Sequence, residues 1–190
     1  MTNDFVFDSI YIDSVWGYKS GPGSDPVAAQ PWIDTVNLFL EKNDVNSIVD
    51  VGCGDWRLAS NYLLKDKSYL GIDVSSVILE ETAKHTSSNI TFLNQDAETF
   101  DFPFVDLILI KDVLMHLPNS SVKTILDKVF NSCRYALICE DYAPVNYTDI
   151  PSGHHRFLNL TTEPFAYDLV VHSESFFAKK ALYIYENRLI

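Results

Sequence analysis

Short apolar runs alternate along the chain with stretches that are apolar on one side only. The apolar runs have the length and the β-branched content of buried strands. They lie at Ile48–Val51, Tyr69–Ile72, Ile90–Leu93, Asp106–Ile110 and Tyr135–Cys139. The fourth run is so apolar that both of its faces must be covered, which is typical of a strand in a parallel sheet.

Between these runs, apolar residues recur at helical spacing. Helices are predicted over Val27–Lys42, Trp56–Leu64, from Ser75 to about His85 with Ser75 or Ser76 as N-cap, and from Asn119 onward. Strand and helix alternate, so right-handed crossovers and a parallel sheet are expected. Two closing strands, Asp168–His172 and Ala181–Glu186, are predicted around a turn at Ser173 to Phe177. The fold class is therefore α/β, a Rossmann-like doubly wound sheet of seven strands.

Composition narrows the functional classes. The chain has 190 residues, 47% of them hydrophobic, enough for one α/β domain. Its net charge of -12 and the lack of a basic patch beyond Lys179-Lys180 disfavour a nucleic-acid partner. No run approaches a membrane span of roughly 20 apolar residues, and the N-terminus does not resemble a signal peptide. The three cysteines, an odd number, favour a reducing cytoplasm.

A glycine turn follows the first strand. Gly52, Cys53 and Gly54 come directly after Val51, and the second strand ends at a carboxylate, Asp73. Doubly wound sheets hold an adenosine in this way, with the ribose on the acidic residue. The sequence therefore predicts a nucleoside cofactor.

The turn lacks the features that a dinucleotide requires. Position 57 is Arg where the third glycine of G-x-G-x-x-G would stand. Three carboxylates, those of Asp50, Asp55 and Asp73, are expected to converge there, and they would repel a pyrophosphate. A cationic ligand is favoured. Tight binding of NAD would revive a dehydrogenase, which is the weakest alternative.

An acidic residue followed by G-x-G resembles the first motif of the class I S-adenosylmethionine-dependent methyltransferases. The resemblance implies S-adenosylmethionine as cofactor and a mostly parallel sheet with a reversed C-terminal strand. Length and composition agree with one such domain over 1–190, with a core at about 27–140 and closing strands at about 166–190. The glycines, proline and tryptophan near the N-terminus predict a lid at about 1–26, with a disordered tail as the alternative, and the irregular stretch at about 141–165 predicts an acceptor loop.

Three further segments are similar to one branch of that family. They are Trp16–Ser24, Asp106–Pro118, and His155–Leu160 followed by Pro164-Phe165. Members of the branch are often single domains or are fused to glycosyltransferases, which implies, by association, a sugar or another small-molecule acceptor. The chain departs from the branch pattern at His155, where the branch has Trp, and at Lys111, where it has Arg. Because the chain stops directly after a strand, we also consider that it is an excised module of a longer protein.

The resemblance assigns cofactor-binding roles to named residues. Asp73 would accept the ribose hydroxyls, and Asp50 would order the loop or meet the ammonium group through water. Asp96 would lie near the adenine amino group, and Lys111 would offer its carbonyl to the methionine part while its side chain stays idle. Trp56 either stacks on the adenosine or packs inside the protein. The remaining predicted cofactor contacts are Trp16, Lys19, Ser20 and Gly21 in the lid, with Cys53, Gly52, Gly54, Val74 and Ala97.

Catalysis is predicted at Asp112 and His116. The two residues lie four positions apart after the fourth strand, so a turn of helix would put them on one face. A hydroxyl acceptor must lose its proton, and a neutral histidine is a natural general base, with the aspartate orienting it or serving instead. A histidine bonded within the core is the structural alternative.

Acceptor contacts are predicted in the second half of the chain, at Glu140, Asp141, His155, Arg156 and Asn159. Ordering of the loop is an equally good explanation for Arg156 and Asn159. No spacing typical of metal ligands occurs, so no metal is expected.

The function predicted from these features is O-methylation of a sugar hydroxyl, for example on a deoxyhexose such as rhamnose within a glycan. One alternative keeps the chemistry and changes the acceptor to another small molecule, including an amine. Another is a non-catalytic cofactor-binding module of a larger protein, which would need Asp73 but no proton acceptor.

Overall fold

The computed structural model describes residues 2–146, 148–173 and 179–188. Two compact units divide the chain, residues 1–100 and residues 101–190. The organisation into one functional domain stays a prediction. Apart from Ser173, the turn predicted at Ser173 to Phe177 lies outside the described residues.

All the predicted strands are confirmed, with ends that shift by a few residues. They are β1 (Ser47–Val51), β2 (Ser68–Asp73), β3 (Ile90–Asn94), β4 (Val105–Lys111), β5 (Cys133–Asp141), β6 (Val170–Ser173) and β7 (Lys180–Glu186). They form a seven-stranded sheet in the order β3-β2-β1-β4-β5-β7-β6. The fold class is therefore the predicted one, α/β and Rossmann-like.

In the first unit, β1, β2 and β3 are parallel neighbours, with Val49 opposite Leu70 and Leu70 opposite Thr91. Its helices are α1 (Asn3–Ile12), α2 (Gln30–Lys42) and α3 (Ser76–Thr82). The fully buried Trp32 of α2 donates its indole Nε1–H to the hydroxyl of Tyr62 at 2.7 Å. That bond satisfies a polar group that would otherwise be costly in the core.

In the second unit, β4 and β5 are parallel, β7 is antiparallel to β5, and β6 is antiparallel to β7. The reversed C-terminal strand is thus present. One helix, α4 (Asn119–Asn131), buries Val122, Ile125, Leu126 and Val129 at the predicted spacing. Leu107 to Ile110 of β4 are completely buried, as the apolar run requires.

The helix predicted over Trp56–Leu64 is wrong. A short 3-10 turn, Ala59–Asn61, stands in its place, and Trp56 has a left-handed backbone with φ of 69°. Local side chains take the backbone groups of this segment. Asp55 Oδ1 accepts the amide of Arg57 at 3.2 Å, and Asn61 Nδ2 donates to the Arg57 carbonyl at 2.7 Å. Such bonds compete with a helix.

Helix α1 is absent from the elements that the hydrophobic pattern predicts. Phe7 and Ile10, three positions apart, are its two buried residues, while Phe5 and Ile12 are exposed. The apolar stripe is therefore too narrow to stand out from sequence alone.

Candidate functional site

The glycine turn, Gly52–Gly54, is built against the end of β2. The amides of Gly52 and Cys53 both donate to the carbonyl of Ile72, at 2.8 and 3.1 Å. Gly52 and Gly54 have φ of 69° and 58°, a region that favours glycine. A Cβ added at Gly54 would lie 2.6 Å from Ser20 Oγ, so the turn closely approaches the lid.

Asp73 ends β2 and faces the glycine turn. Its Oδ2 accepts the amide of Gly54 and its Oδ1 accepts the amide of Ser75, each at 3.0 Å. The residue is only 7% exposed. Burial raises the pKa of Asp73 to about 6, and the two backbone donors oppose that rise. A buried carboxylate in this state gains from further donors such as ribose hydroxyls.

The other two carboxylates have partners within the first unit. Asp50 Oδ2 accepts the Tyr69 hydroxyl at 2.7 Å. Asp55 Oδ2 pairs with Arg57 Nε at 2.7 Å. Burial raises the pKa of Tyr69 well above its usual range, and the charge of Asp50 adds to the effect. The bond to Asp50 ties β1 to β2, and both roles predicted for Asp50 stay predictions.

The predicted lid includes residues 16–24, the lid segment, which is bonded to residues that directly follow the glycine turn. Ser20 Oγ accepts the amide of Asp55 at 3.2 Å, and Arg57 Nη2 donates to the carbonyl of Gly21 at 3.3 Å. Lys19 pairs with Glu81 of α3 at 2.8 Å. Trp16 packs edge-on against Tyr11, with ring centroids 5.6 Å apart. Four predicted lid residues are thus gathered in one place.

Helix α1 adds contacts that the sequence did not indicate. Asn3 Nδ2 donates to Asp96 Oδ2 at 2.9 Å. Asp8 accepts the hydroxyls of Ser75 and Ser76 at 2.6 and 2.9 Å. Helix α1 therefore reaches the residues that follow β2 and β3.

Tyr11, the next-to-last residue of α1, also reaches the glycine turn. Its hydroxyl lies 3.2 Å from Ser20 Oγ. Burial raises the pKa of Tyr11 far above its usual range, and the charge of Asp73 reinforces the rise. Because Tyr11 lies in a helix that was not predicted, the sequence gave no signal for its contact with Ser20.

Trp56 packs inside the unit. Its ring meets Tyr69 and Phe92 edge-on, with centroids 5.3 and 5.2 Å apart, and stacks at 6.1 Å on His85. This arrangement favours the packing role over stacking on an adenosine.

The remaining predicted cofactor contacts follow β2 and β3. The carbonyl of Val74 accepts Asn94 Nδ2 at 2.9 Å, Asp96 Oδ1 accepts the amide of Glu98 at 2.9 Å, and Ala97 is buried. Asp96 also accepts the N–H of the Asn3 amide, the kind of donor that an adenine amino group would present. The carboxylates of Asp73 and Asp96 can accept hydrogen bonds, and the tight glycine turn lies beside Asp73, so this unit suits an adenosine-bearing cation.

In the second unit, Lys111, Asp112, Asp141 and Lys180 form a lysine–carboxylate cluster. Lys111 Nζ donates to Asp112 Oδ2, and Lys180 Nζ bridges Asp112 Oδ1, at 2.6 Å, and Asp141 Oδ1. Burial alone would lower the pKa of Lys180. The charge of Asp112 and the bonds to both carboxylates have the opposite and larger effect, so the pKa of Lys180 is raised overall. The expectation of an idle Lys111 side chain is wrong, because Asp112 lies within reach.

Lys180 belongs to this cluster although the sequence analysis noted it only as half of a basic pair. The antiparallel pairing of β5 with β7 places Asp141 opposite Lys180. Only that register brings the two together, so no local signal could have identified Lys180.

Glu140 positions the segment after β4. It is completely buried, and its carboxylate accepts the amides of Val113, Leu114 and Met115 at 3.1, 2.9 and 3.2 Å. Burial, followed by the charge of Asp112, raises the pKa of Glu140 to about 8 against the effect of these amides. The geometry gives Glu140 a positioning role; acceptor binding by this residue stays a prediction.

The single helical turn predicted to carry both Asp112 and His116 is wrong. Asp112 has a left-handed backbone, with φ of 58°, and a 3-10 turn spans Leu114–His116 only. His116 Nδ1 lies 2.9 Å from the carbonyl of His154. Burial lowers the pKa of His116, and the bond to the His154 carbonyl offsets only part of this decrease. His116 is therefore neutral at pH 7.

His155 lies beside this turn. Its Nε2 is 2.8 Å from Asp141 Oδ2, and its ring centroid is 5.8 Å from that of His116. The His155 side chain is 45% exposed. Burial would raise the pKa of Asp141, but bonds from Lys180 and His155 lower it overall. Asp141 is thus an ionised partner for His155.

Arg156 and Asn159 order the loop. Arg156 Nη2 donates to the carbonyl of Leu117 at 2.6 Å, and its Nη1 donates to Asn119 Oδ1. Asn159 Oδ1 accepts the amide of Thr161 at 3.0 Å. Both residues are buried. The structure supports the loop-ordering explanation, and acceptor contacts by these residues stay a prediction.

Two other kinds of site are not found in residues 2–146, 148–173 and 179–188. No group of three or more His, Cys, Asp or Glu residues in these ranges could hold a metal ion. None of the helices there has the length and hydropathy needed to cross a membrane.

Comparison with known proteins adds to this geometry. Residues 48–135 match the family model described as "Methyltransferase domain". No curated protein matches the chain significantly. The match includes the glycine turn, Asp73, Asp112 and His116.

Solved structures share the fold. Magnesium protoporphyrin IX methyltransferase from Synechocystis, with bound S-adenosylhomocysteine, is 14% identical with a TM-score of 0.65, covering 95% of this chain and 96% of that one. The N-methyltransferase NodS from Bradyrhizobium japonicum, in complex with the same compound, is 16% identical with a TM-score of 0.65, covering 86% and 89%. Human N-acetylserotonin methyltransferase in complex with S-adenosylmethionine is 13% identical with a TM-score of 0.65, covering 98% and 60%.

At these identities the structural likeness shows the fold. The family match adds the class of activity, methyl transfer. It covers the glycine turn of the first unit and the acidic residues around that turn. Together, the fold and the family match support an enzyme that transfers a methyl group from S-adenosylmethionine.

Proposed function

We propose that the chain is an S-adenosylmethionine-dependent O-methyltransferase whose acceptor is a hydroxyl of a sugar, for example a deoxyhexose within a glycan. The observation that carries the cofactor part is the buried Asp73, which holds the glycine turn through Gly54 and whose pKa is raised to about 6. Ribose hydroxyls donating to this carboxylate would favour its charged form.

The other cofactor roles follow from the first unit. Asp96 would accept a hydrogen bond from the adenine amino group, as it accepts one from the side-chain amide of Asn3. The lid segment would cover the ligand and exclude water, since Ser20 and Gly21 are already bonded to Asp55 and Arg57, just after the turn. Lys111 would offer its backbone carbonyl to the methionine part. The cofactor, when bound, supplies an electrophilic methyl group.

A hydroxyl acceptor fits the charges of the second unit. Asp112 and Asp141 are each paired with a lysine, so the cluster has little net charge with which to attract an ammonium group. The carboxylate of Glu140 already accepts three backbone amides, so it adds little to the attraction of an ammonium group. A neutral acceptor is thus preferred to a cationic amine. Sugars present neutral hydroxyls, and the branch resemblance points the same way.

Asp112 and His116 are the proposed catalytic residues. His116 is neutral because burial lowers its pKa, so it can accept a hydrogen bond or a proton from a hydroxyl. Asp112, fixed by Lys111 and Lys180, would orient the acceptor. The neighbouring Asp141 and His155 would contact the same acceptor. The enzyme would act in the cytoplasm, alone or beside a glycosyltransferase.

The test is calorimetric titration with S-adenosylhomocysteine, followed by transfer of a radiolabelled methyl group to a panel of methyl glycosides. Asp73→Ala should abolish binding of S-adenosylhomocysteine. His116→Ala should bind it nearly as well as the wild type and transfer at least about 10²-fold more slowly. Binding without transfer to any sugar would favour another small-molecule acceptor or the non-catalytic module. Transfer by His116→Ala at the normal rate would remove the catalytic role of His116.

A further inference from the structure

The second unit contains a second histidine whose surroundings suit a proton acceptor. His155 Nε2 lies 2.8 Å from Asp141 Oδ2. Asp141 is ionised, since its pKa is lowered overall, and an ionised carboxylate can only accept a hydrogen bond. Nε2 must therefore carry the hydrogen. In the neutral ring, Nδ1 then carries the basic lone pair.

Asp141 is itself held in place. Its second oxygen, Oδ1, accepts Lys180 Nζ, which also bridges to Asp112 Oδ1 at 2.6 Å. The carboxylate therefore cannot rotate without breaking a bond to a buried ammonium group. Asp141 fixes both the orientation of the His155 ring and its tautomer, and Lys180 is a positioning residue behind it.

The two neighbouring histidines differ in exposure and in hydrogen-bond partner. His116 is only 8% exposed, and burial lowers its pKa. The His155 side chain is 45% exposed and its ring has an ionised carboxylate as partner. Asp141 contacts the His155 ring, Lys180 links Asp141 to Asp112, and His116 lies beside His155. His155 is therefore the histidine of the pair that both contacts an ionised carboxylate and is open to water.

We propose that His155 is a catalytic residue, the final acceptor of the proton that the acceptor hydroxyl loses during methyl transfer. This inference rests on the proposed function. The O–H bond of the acceptor breaks, and its oxygen forms the bond to the methyl carbon with a lone pair. The pair of the broken carbon–sulfur bond stays on sulfur. The proton leaves the hydroxyl toward His116, then forms an N–H bond at His155 Nδ1 and passes from there to water.

Two substitutions separate this role from a structural one. His155→Gln keeps an N–H donor toward Asp141 but has no basic nitrogen. Asp141→Asn keeps an oxygen for Lys180 and turns its amide N–H toward His155. The ring must then accept at Nε2 and carry its hydrogen on Nδ1, the wrong tautomer. His154→Gln is the matched control, because the His154 side chain is exposed and its backbone carbonyl is unchanged.

The first readout needs neither cofactor nor acceptor. Imidazole ¹⁵N NMR of the full chain should show hydrogen on Nε2 of neutral His155 in the wild type and on Nδ1 in Asp141→Asn. The second readout is kcat with methyl α-rhamnopyranoside as acceptor probe. We expect at least about a 10²-fold decrease for both His155→Gln and Asp141→Asn, an unchanged Kd for S-adenosylhomocysteine, and wild-type kcat for His154→Gln.

Hydrogen on Nδ1 of neutral wild-type His155, or a His155→Gln variant that transfers at the wild-type rate, would overturn the proposal. Failure of the wild-type protein to bind S-adenosylhomocysteine is a different result. It would overturn the proposed function, while the NMR measurement would still read the tautomer of His155.

Discussion

Replacing Gly54 by alanine tests the close contact between the glycine turn and the lid. Gly54 has φ of 58°, so alanine incurs a left-handed backbone cost of about 1–2 kcal/mol. The added Cβ would also lie 2.6 Å from Ser20 Oγ, and Ser20 would have to move. Ser20 Oγ holds the amide of Asp55 and contacts the Tyr11 hydroxyl, each at 3.2 Å. Weakening these two bonds adds roughly 1–3 kcal/mol.

The matched control is Gly17→Ala. Gly17 has φ of 84°, but a Cβ there would meet nothing within 4 Å, so only the backbone cost of about 1–2 kcal/mol applies. Urea unfolding of both variants should show Gly54→Ala to be the less stable by roughly 1–3 kcal/mol. Gly54→Ala should also bind S-adenosylhomocysteine more weakly.

A double-mutant cycle isolates the clash. In a Ser20→Gly background, Gly54→Ala should cost only the backbone strain, because the atoms it would meet are gone. Equal destabilisation by Gly54→Ala and Gly17→Ala would refute the reasoning. An unchanged cost of Gly54→Ala in the Ser20→Gly background would refute it as well.

Three other predictions use the remaining contacts. Because the pKa of Asp73 is about 6 and ribose donors favour its charged form, the affinity for S-adenosylhomocysteine should fall as pH drops below 6; calorimetry in buffers of different ionisation enthalpy should detect a released proton at pH 5.5, and pH-independent affinity from pH 5 to 8 would contradict this. The pKa of Glu140 is raised from 4.5 to about 8, so its contribution to the free energy of unfolding is lost as pH rises through that window. In urea titrations at several pH values, Glu140→Gln should reduce the decline of the unfolding free energy with pH; an unchanged decline would count against this prediction. Asp8→Ala removes bonds to Ser75 and Ser76 and should destabilise the protein by about 1 kcal/mol in the same assay, whereas wild-type stability would show that these bonds contribute nothing.

The strands were predictable because burial leaves a direct mark on sequence. A parallel strand covered on both faces must be continuously apolar, as Leu107 to Ile110 are, and the ends of such strands locate Gly52 and Asp73. The first unit's acidic turn followed from these placements. Ser75 was also predictable, since its hydroxyl accepts the amide of Ile78 as an N-cap.

The errors arose where side chains, not hydrophobic spacing, set the backbone. Asp55 and Asn61 hold backbone groups of Arg57, which prevents the helix predicted there. Glu140 draws three consecutive amides onto one carboxylate, so Asp112 and His116 do not share a helical turn. Each bond is a choice among competing partners, and periodicity does not record it.

Long-range partners were equally hidden. Tyr11 lies in a helix that the sequence did not predict, and its hydroxyl contacts Ser20. Lys180 and Asp141 meet only through the register of β5 with β7. A residue's type suggested what it could do, but tertiary structure decided with which partner.

Calorimetric titration of S-adenosylhomocysteine into the wild-type protein and Asp73→Ala tests the central claim most directly. We predict saturable binding of one ligand per chain in the wild type and no measurable binding in Asp73→Ala, at equal folded content by circular dichroism. Absence of binding in the wild type, or equal affinity in the two proteins, would contradict the assignment of the glycine turn and Asp73 to this cofactor.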